Sequence, residues 1–235
     1  MSASPLQPVA VCRICGGTDI RFNSILWDQL IAQWQLAPAE AAYLDRQQGI
    51  HCVACGGLLR TMALAEAIAR GVGHDGPLLR IADNAAARAL RILEINQIPG
   101  VSEALATLPR HRRLSHPAID MMAMDLPNGE IDLLVHSDTL EHLVEPRRAL
   151  AECRRVLAPG GACCFTVPVV LGRLSRSRAG LAKSYHGAPG IELDDFVVHS
   201  EFGADFWALV LEAGFRSCEI VSLEYPGGLA FRALR

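Results

Sequence analysis

Four cysteines stand in two near-identical knuckles, Cys12-Arg-Ile-Cys15-Gly-Gly and Cys52-Val-Ala-Cys55-Gly-Gly. Each Cys-x-x-Cys can wrap two thiolates around one ion, and the glycines let the backbone turn back toward it. Two such knuckles make the tetrahedral four-sulfur set that zinc prefers. A closed set leaves no open coordination position, so the expected Zn2+ is structural, with Cys12, Cys15, Cys52 and Cys55 as ligands. A redox dithiol is the alternative, and His51 is a bystander to a complete shell. The second concentration of chemistry is His136-Ser-Asp-Thr-Leu-Glu-His-Leu-Val-Glu145, with three acids and two histidines. Histidine titrates near neutral pH and suits proton transfer. His136 and His142 are therefore the first candidates for a catalytic base, followed by Tyr185, His186 and His199 farther along the chain.

The polar cluster is set in place by its neighbours. Ile131 to Val135 is a short apolar run, the pattern of a strand buried on both faces. From Pro146 to Leu157 the apolar residues Ala149, Leu150, Cys153, Val156 and Leu157 recur at helical spacing, with arginines and Glu152 on the other face. Pro159-Gly-Gly161 predicts the end of that helix, and Ala162 to Val167 reads as a second buried strand. Strand, helix, strand is a βαβ unit with parallel pairing and a right-handed crossover. In open α/β sheets the ligand lies outside the carboxyl ends of the strands, where His136 to His142 falls. Upstream, Ile25 to Leu36, Pro38 to Gln48 and Thr61 to Arg70 read as helices. The glycine-rich stretch 71–77 marks a boundary, dividing the chain into a four-cysteine zinc-binding module with helices at 1–75 and an α/β domain at 76–235.

The block from Asp132-Leu-Leu-Val-His-Ser-Asp-Thr-Leu-Glu-His-Leu to Arg155-Val-Leu-Ala-Pro-Gly-Gly161 resembles class I S-adenosylmethionine-dependent methyltransferases. The resemblance runs from about Arg91 to the C-terminus and is densest over 131–167. It implies a Rossmann-like sheet, shortened in its second crossover because the interval from Glu94 to Asp132 is brief, behind a small zinc-ribbon and helical module. It also implies S-adenosylmethionine as cofactor. Glu94 then matches the family's acid at the end of the first strand, and Gly100 the last glycine of its loop, whereas Asn96 and Ile98 replace the first two glycines. His116 falls where the ribose-binding acid is expected, and Asp120 with Met121 resembles the pair that meets adenine. His136 and Ser137 lie at the end of the strand that borders the cofactor. N-terminal Cys-x-x-Cys pairs ahead of such a domain resemble those of some sugar and small-molecule methyltransferases.

With 235 residues and a formal net charge of −3, the chain is sized for one large core plus a small module and carries no global pull toward nucleic acid. Its knuckle-region basic residues Arg13, Arg21, Arg46 and Arg60 are scattered rather than patched. No apolar run approaches the ~20 residues of a membrane helix, and the first residues lack a signal-peptide pattern, so a cytoplasmic location is expected. The long stretch Pro168 to Ser200 carries Arg173, Arg176, Arg178 and Lys183, which reads either as a loop meeting an acidic or phosphorylated small-molecule substrate or as a solvated basic loop. Ser200 to Ala213 reads as a helix with Ser200 as its cap and Glu201 and Asp205 in its first turns. The function expected is methyl transfer to a small polar metabolite, sugar or biosynthetic intermediate. The rivals are a non-catalytic scaffold with a degenerate cofactor site and an enzyme of this fold doing other chemistry.

Overall fold

The computed structural model describes residues 8–185 and 193–235. The knuckle region contributes β1 (Ile20–Phe22), α1 (Asp28–Trp34), α2 (Pro38–Gly49), β2 (Ile50–Cys52) and α3 (Leu59–Val72). Next come α4 (Ala85–Ala89), β3 (Ile92–Ile95), α5 (Val101–Leu105), β4 (His111–Leu114), β5 (Ile131–Ser137), α6 (Pro146–Val156) and β6 (Leu157–Thr166). The chain ends with β7 (Val169–Val170), β8 (Arg176–Ser177), β9 (Ser200–Gly203), α7 (Phe206–Glu212), β10 (Ser217–Leu223) and β11 (Gly228–Leu234).

The main sheet has six strands in the order β10-β11-β6-β5-β3-β4. β4, β3, β5 and β6 run parallel, and β11 is antiparallel to both β6 and β10. This is the expected Rossmann-like α/β sheet, with no strand beyond β4: the segment between β4 and β5 forms neither helix nor strand. Neighbouring residues of β6 point to opposite faces, as a pleated strand requires. Ala162 and Cys164 join Leu133 and Val135 under α3 and α5, while Cys163 and Phe165 join Leu134 under α6 and α7. α3 is buried along most of its length, with Met62, Ala63, Leu64, Ala67 and Ile68 all at 1% exposure or less. Its small alanines let it lie close on β6, β10 and β11, so the helix that follows the second knuckle is part of the sheet's own covering layer.

Two local expectations change. Residues 200–203 form a strand, not the first turn of a helix, and α7 starts at Phe206. β9 pairs with β7 and β8, and Gly203 packs so closely that a Cβ there would lie 2.3 Å from the Arg173 carbonyl oxygen. Glu201, 1% exposed, is held by Arg176 at 2.8 Å and by the nearly buried Arg178 rather than by a helix dipole. Asp205 accepts from the backbone N–H and the hydroxyl of Ser175, both at 2.7 Å, so it ties two segments together instead of capping α7. In addition, Pro159-Gly-Gly161 lies within the first half of β6, where Gly160 has φ +79° and a register shift interrupts the pairing with β5.

Arg178, unlike the more exposed Arg173 and Arg176, sits too deep to be left without its carboxylate. Glu201→Ala is expected to destabilise the fold by about 3–5 kcal/mol, because it strands a buried guanidinium. Urea unfolding of the variant beside the wild type checks this, and a change within the range of a surface substitution would refute it.

Candidate functional site

Each knuckle closes on itself in the same way. The Cys12 N–H donates to the Gly17 carbonyl and the Cys52 N–H to the Gly57 carbonyl, each at 2.9 Å. Gly16 (φ +81°) and Gly56 (φ +69°) make the left-handed turns that this return needs. β1 and β2 carry the knuckles side by side, pairing Ile20 with Cys52. The four sulfurs converge within 4.8 Å of one another, with Cys12–Cys55 at 3.7 Å and Cys15–Cys52 at 3.5 Å. None of the four is in a disulfide. The Ile14 and Gly17 amides point at the Cys12 and Cys15 sulfurs, an arrangement that favours thiolates. Without an ion, burial pushes the Cys12 thiol up to about 11.

The knuckles also sit on the loop after β3. A Cβ at Gly100 (φ +75°) would stand 3.0 Å from Ile14 and 3.3 Å from the Gly57 Cα. Ile98, 1% exposed, lies in the same apolar cluster as Ile14. Glu94 is fully buried at the end of β3; its carboxylate accepts from the Ser102 hydroxyl and from His111 Nε2 at 2.8 Å. Ser102 in turn accepts the Ile98 N–H at 2.8 Å. Asn96 adopts φ +63° where a glycine was expected, and its side chain accepts the His116 N–H at 3.3 Å.

At the carboxyl ends of β5 and β6 a polar chain joins the two halves of the molecule. Arg60, from the first turn of α3, lies 3.0 Å from Asp138 and donates to Ser137 Oγ at 2.6 Å and to Gln48 Oε1 at 2.6 Å. Gln48 donates to Asp138 at 2.8 Å, and the Thr166 hydroxyl donates to it at 2.7 Å. Asp138 holds φ +44°. These groups form the polar end of a cavity of about 280 Å³, near the lower limit for a small-molecule site. Its apolar walls come from Trp27, Leu30, Trp34, Leu44, Pro168 and Phe196, and Gln47, Glu141 and His142 complete it. Burial pushes Glu141 well above the usual carboxylate range and His142 below the usual imidazole range. His142 Nδ1–H donates to the Val197 carbonyl at 3.0 Å, so Nε2 carries the ring's lone pair, 3.7 Å from Glu141.

A family described as a methyltransferase domain matches residues 52–165, from the second knuckle to the end of β6. Just under half of the chain thus resembles a methyltransferase domain. A probable S-adenosylmethionine-dependent methyltransferase from Mycolicibacterium smegmatis is 27% identical over 127 residues, 51% of this chain and 44% of that protein. An uncharacterised 37.1 kDa protein in a Streptomyces fradiae transposon is 37% identical over 65 residues, 26% of this chain and 19% of that protein. The chain thus spans less than half the length of these two curated relatives. Among solved structures, an S-adenosylmethionine-dependent methyltransferase from Mesorhizobium loti is 16% identical, with 67% of this chain and 100% of that chain covered at a TM-score of 0.38.

In the structure the residues expected at the site separate. Asn96, Gly100, Ser137 and His142 stay at the carboxyl rim. His116 and Asp120 are exposed beyond β4, where Asp120 accepts the Met122 N–H at 2.8 Å; Met121 is turned into the core. Glu94 is enclosed as the anchor of the loop. His136 is wholly buried and stacks on Phe165 at 4.8 Å, with Cys153 and Cys163 beside it. Strand alternation sends it under the sheet toward α6, away from the rim, and desolvation lowers its pKa to about 3. Tyr185 bridges to Val197, the His199 N–H donates to the Glu141 carbonyl, and His186 lies outside the described residues. Of the basic residues expected to face an acidic substrate, Arg173 pairs with Glu40, Arg176 and Arg178 with Glu201, and Lys183 with Asp194. Gln47, Gln48 and Arg60 were not singled out for the site, although Arg60 was visible as a charge next to the second knuckle.

The buried His136 sets a pH signature. As the pH falls below about 6.5 the unfolded chain takes up this proton first, while the folded chain resists it until about 3. Stability is therefore lost across that window. Unfolding of His136→Phe across the same window should show a shallower loss than wild type, and an unchanged slope would contradict the assignment.

Proposed function

We propose that this protein transfers the methyl group of S-adenosylmethionine to a small-molecule acceptor held in the cavity beneath α1 and α2. The observation that supports this reading is the polar chain at the rim. The amino-acid end of the cofactor is a zwitterion, and Arg60 with Asp138 offers a cation and an anion side by side. Asn96 keeps the left-handed backbone of the missing glycine, and the exposed side chains of His116 and Asp120 are open to the nucleoside end. The residues therefore fit the group. When bound, the cofactor supplies an electrophilic methyl. The chain's own part is to hold the acceptor in line, exclude water with the apolar walls, and remove a proton from a hydroxyl or amine acceptor. His142 suits that proton transfer, since burial keeps it neutral at pH 7 and its Nδ1–H bond aims the basic lone pair at Nε2. His199, whose backbone is tied to Glu141, is a positioning residue.

The proposal extends to a structural zinc on the four cysteines, a division of the chain into 1–75 and 76–235 with α3 covering the sheet of the second unit, and a cytoplasmic location. Among the described residues no helix is long and apolar enough to cross a membrane.

Isothermal titration with S-adenosylhomocysteine should give saturable binding, lost in Asp138→Leu; no binding to the folded wild type would overturn the methyltransferase reading. With an acceptor in hand, His142→Ala should lower kcat about 10²- to 10⁴-fold while cofactor affinity is kept. Native mass spectrometry should find one zinc per chain, absent from Cys52→Ser, whose melting temperature should fall because metal binding and folding are linked.

A further inference from the structure

Gln47 is 1% exposed, lines the cavity, and its Oε1 has no hydrogen-bond partner. A buried acceptor without a donor costs about 1–3 kcal/mol, so a ligand that satisfies it gains selectivity over one that does not. Gln47 stands on the last turns of α2 beside Leu44, in a hollow whose other walls are Trp27, Trp34 and Phe196. Trp34 spends its ring N–H on the Ser184 hydroxyl at 3.0 Å, which leaves the wall around Gln47 apolar. The charged side chains of the polar end are already matched, Arg60 by Asp138, and burial holds Glu141 toward its protonated form and His142 toward its neutral one. The basic residues of the following loop are paired with Glu40, Glu201 and Asp194, so they supply no counter-charge.

We infer that the methyl acceptor is a compact, uncharged ring compound carrying a hydroxyl or amine, and that Gln47 Oε1 accepts a hydrogen bond from it between the aromatic walls. This deepens the proposed function and rests on that reading for the word acceptor, but the binding pocket stands independently of it. Flat rings gain contact area against tryptophan and phenylalanine faces at little entropic cost. Unlike a zwitterion, a lone carboxylate or phosphate brings no cation of its own to exchange with the Arg60–Asp138 pair, so it would be stripped of water with no unmatched cation among the described lining residues to meet it.

The test is a titration of the full chain with three probes of the same ring: 2-naphthol, 2-methoxynaphthalene, which lacks the donor, and 2-naphthyl phosphate. Binding is followed by calorimetry and by tryptophan fluorescence, because Trp27 and Trp34 line the hollow. The expected result is that 2-naphthol binds at least about tenfold more tightly than either analogue. In Gln47→Met, of similar volume, the preference over 2-methoxynaphthalene should vanish while the rejection of the phosphate persists. Equal or tighter binding of the phosphate, no binding of 2-naphthol, or an undiminished hydroxyl preference in a folded Gln47→Met protein would each overturn the inference. S-adenosylhomocysteine is titrated in parallel. Its binding without 2-naphthol binding sinks the pocket assignment alone, whereas the reverse sinks the methyltransferase reading and leaves the ring pocket standing.

Discussion

The ion pair between Arg60 and Asp138 is the joint on which the functional architecture turns. It links the helix that follows the second knuckle to the carboxyl end of the central strand, across a long separation in sequence. A half-buried pair repays its desolvation only when the remaining lone pairs and protons are used. Here they are: Gln48 and Thr166 donate to the carboxylate, and Ser137 and Gln48 accept from the guanidinium. α3 cannot swing to release Arg60, because most of its surface is buried on the sheet. The N-terminal region thus supplies a wall of the cavity, through α1, α2 and the first turn of α3.

The same docking explains why the loop after β3 departs from the family's glycine pattern. Two of its side chains answer to the knuckles and the buried strand, not to a ligand. Ile98 fills apolar space beneath Ile14, and Gly100 is kept small by Ile14 and the Gly57 backbone. Asn96 retains the left-handed conformation through a residue type that tolerates it. Glu94 anchors the loop through Ser102, with His111 satisfying its second oxygen. Of the two substitutions that look like decay in a linear reading, Ile98 packs against the N-terminal module and Asn96 keeps the backbone conformation of a glycine.

Three aromatic walls, one unsatisfied amide oxygen and a neutralised polar end together define a cavity that selects by shape and by a single hydrogen bond. Charge plays its part through absence: the arginines of the β7–β9 region are committed to Glu40 and Glu201, where they hold the small second sheet against α1 and α2. A count of basic residues does not show that these side chains are already paired with carboxylates.

Strands β5 and β6 and helix α6 were legible in the amino-acid order, because apolar periodicity and glycine-proline punctuation act over a few residues. The convergence of Cys12, Cys15, Cys52 and Cys55 was legible too, since two copies of one knuckle have few other ways to satisfy their sulfurs. His136 was misplaced for a reason of parity: one step along a strand reverses the face, and the sequence does not say which face looks at the ligand. β9 was misread as a helix because its partners β7 and β8 and the arginines around Glu201 lie elsewhere in the chain. Gln47, Gln48 and Arg60 reach the cavity around Asp138 only through tertiary packing. Local order therefore determined most of the elements and the pairing of the four cysteines, and long-range burial alone decided which side chains share the cavity.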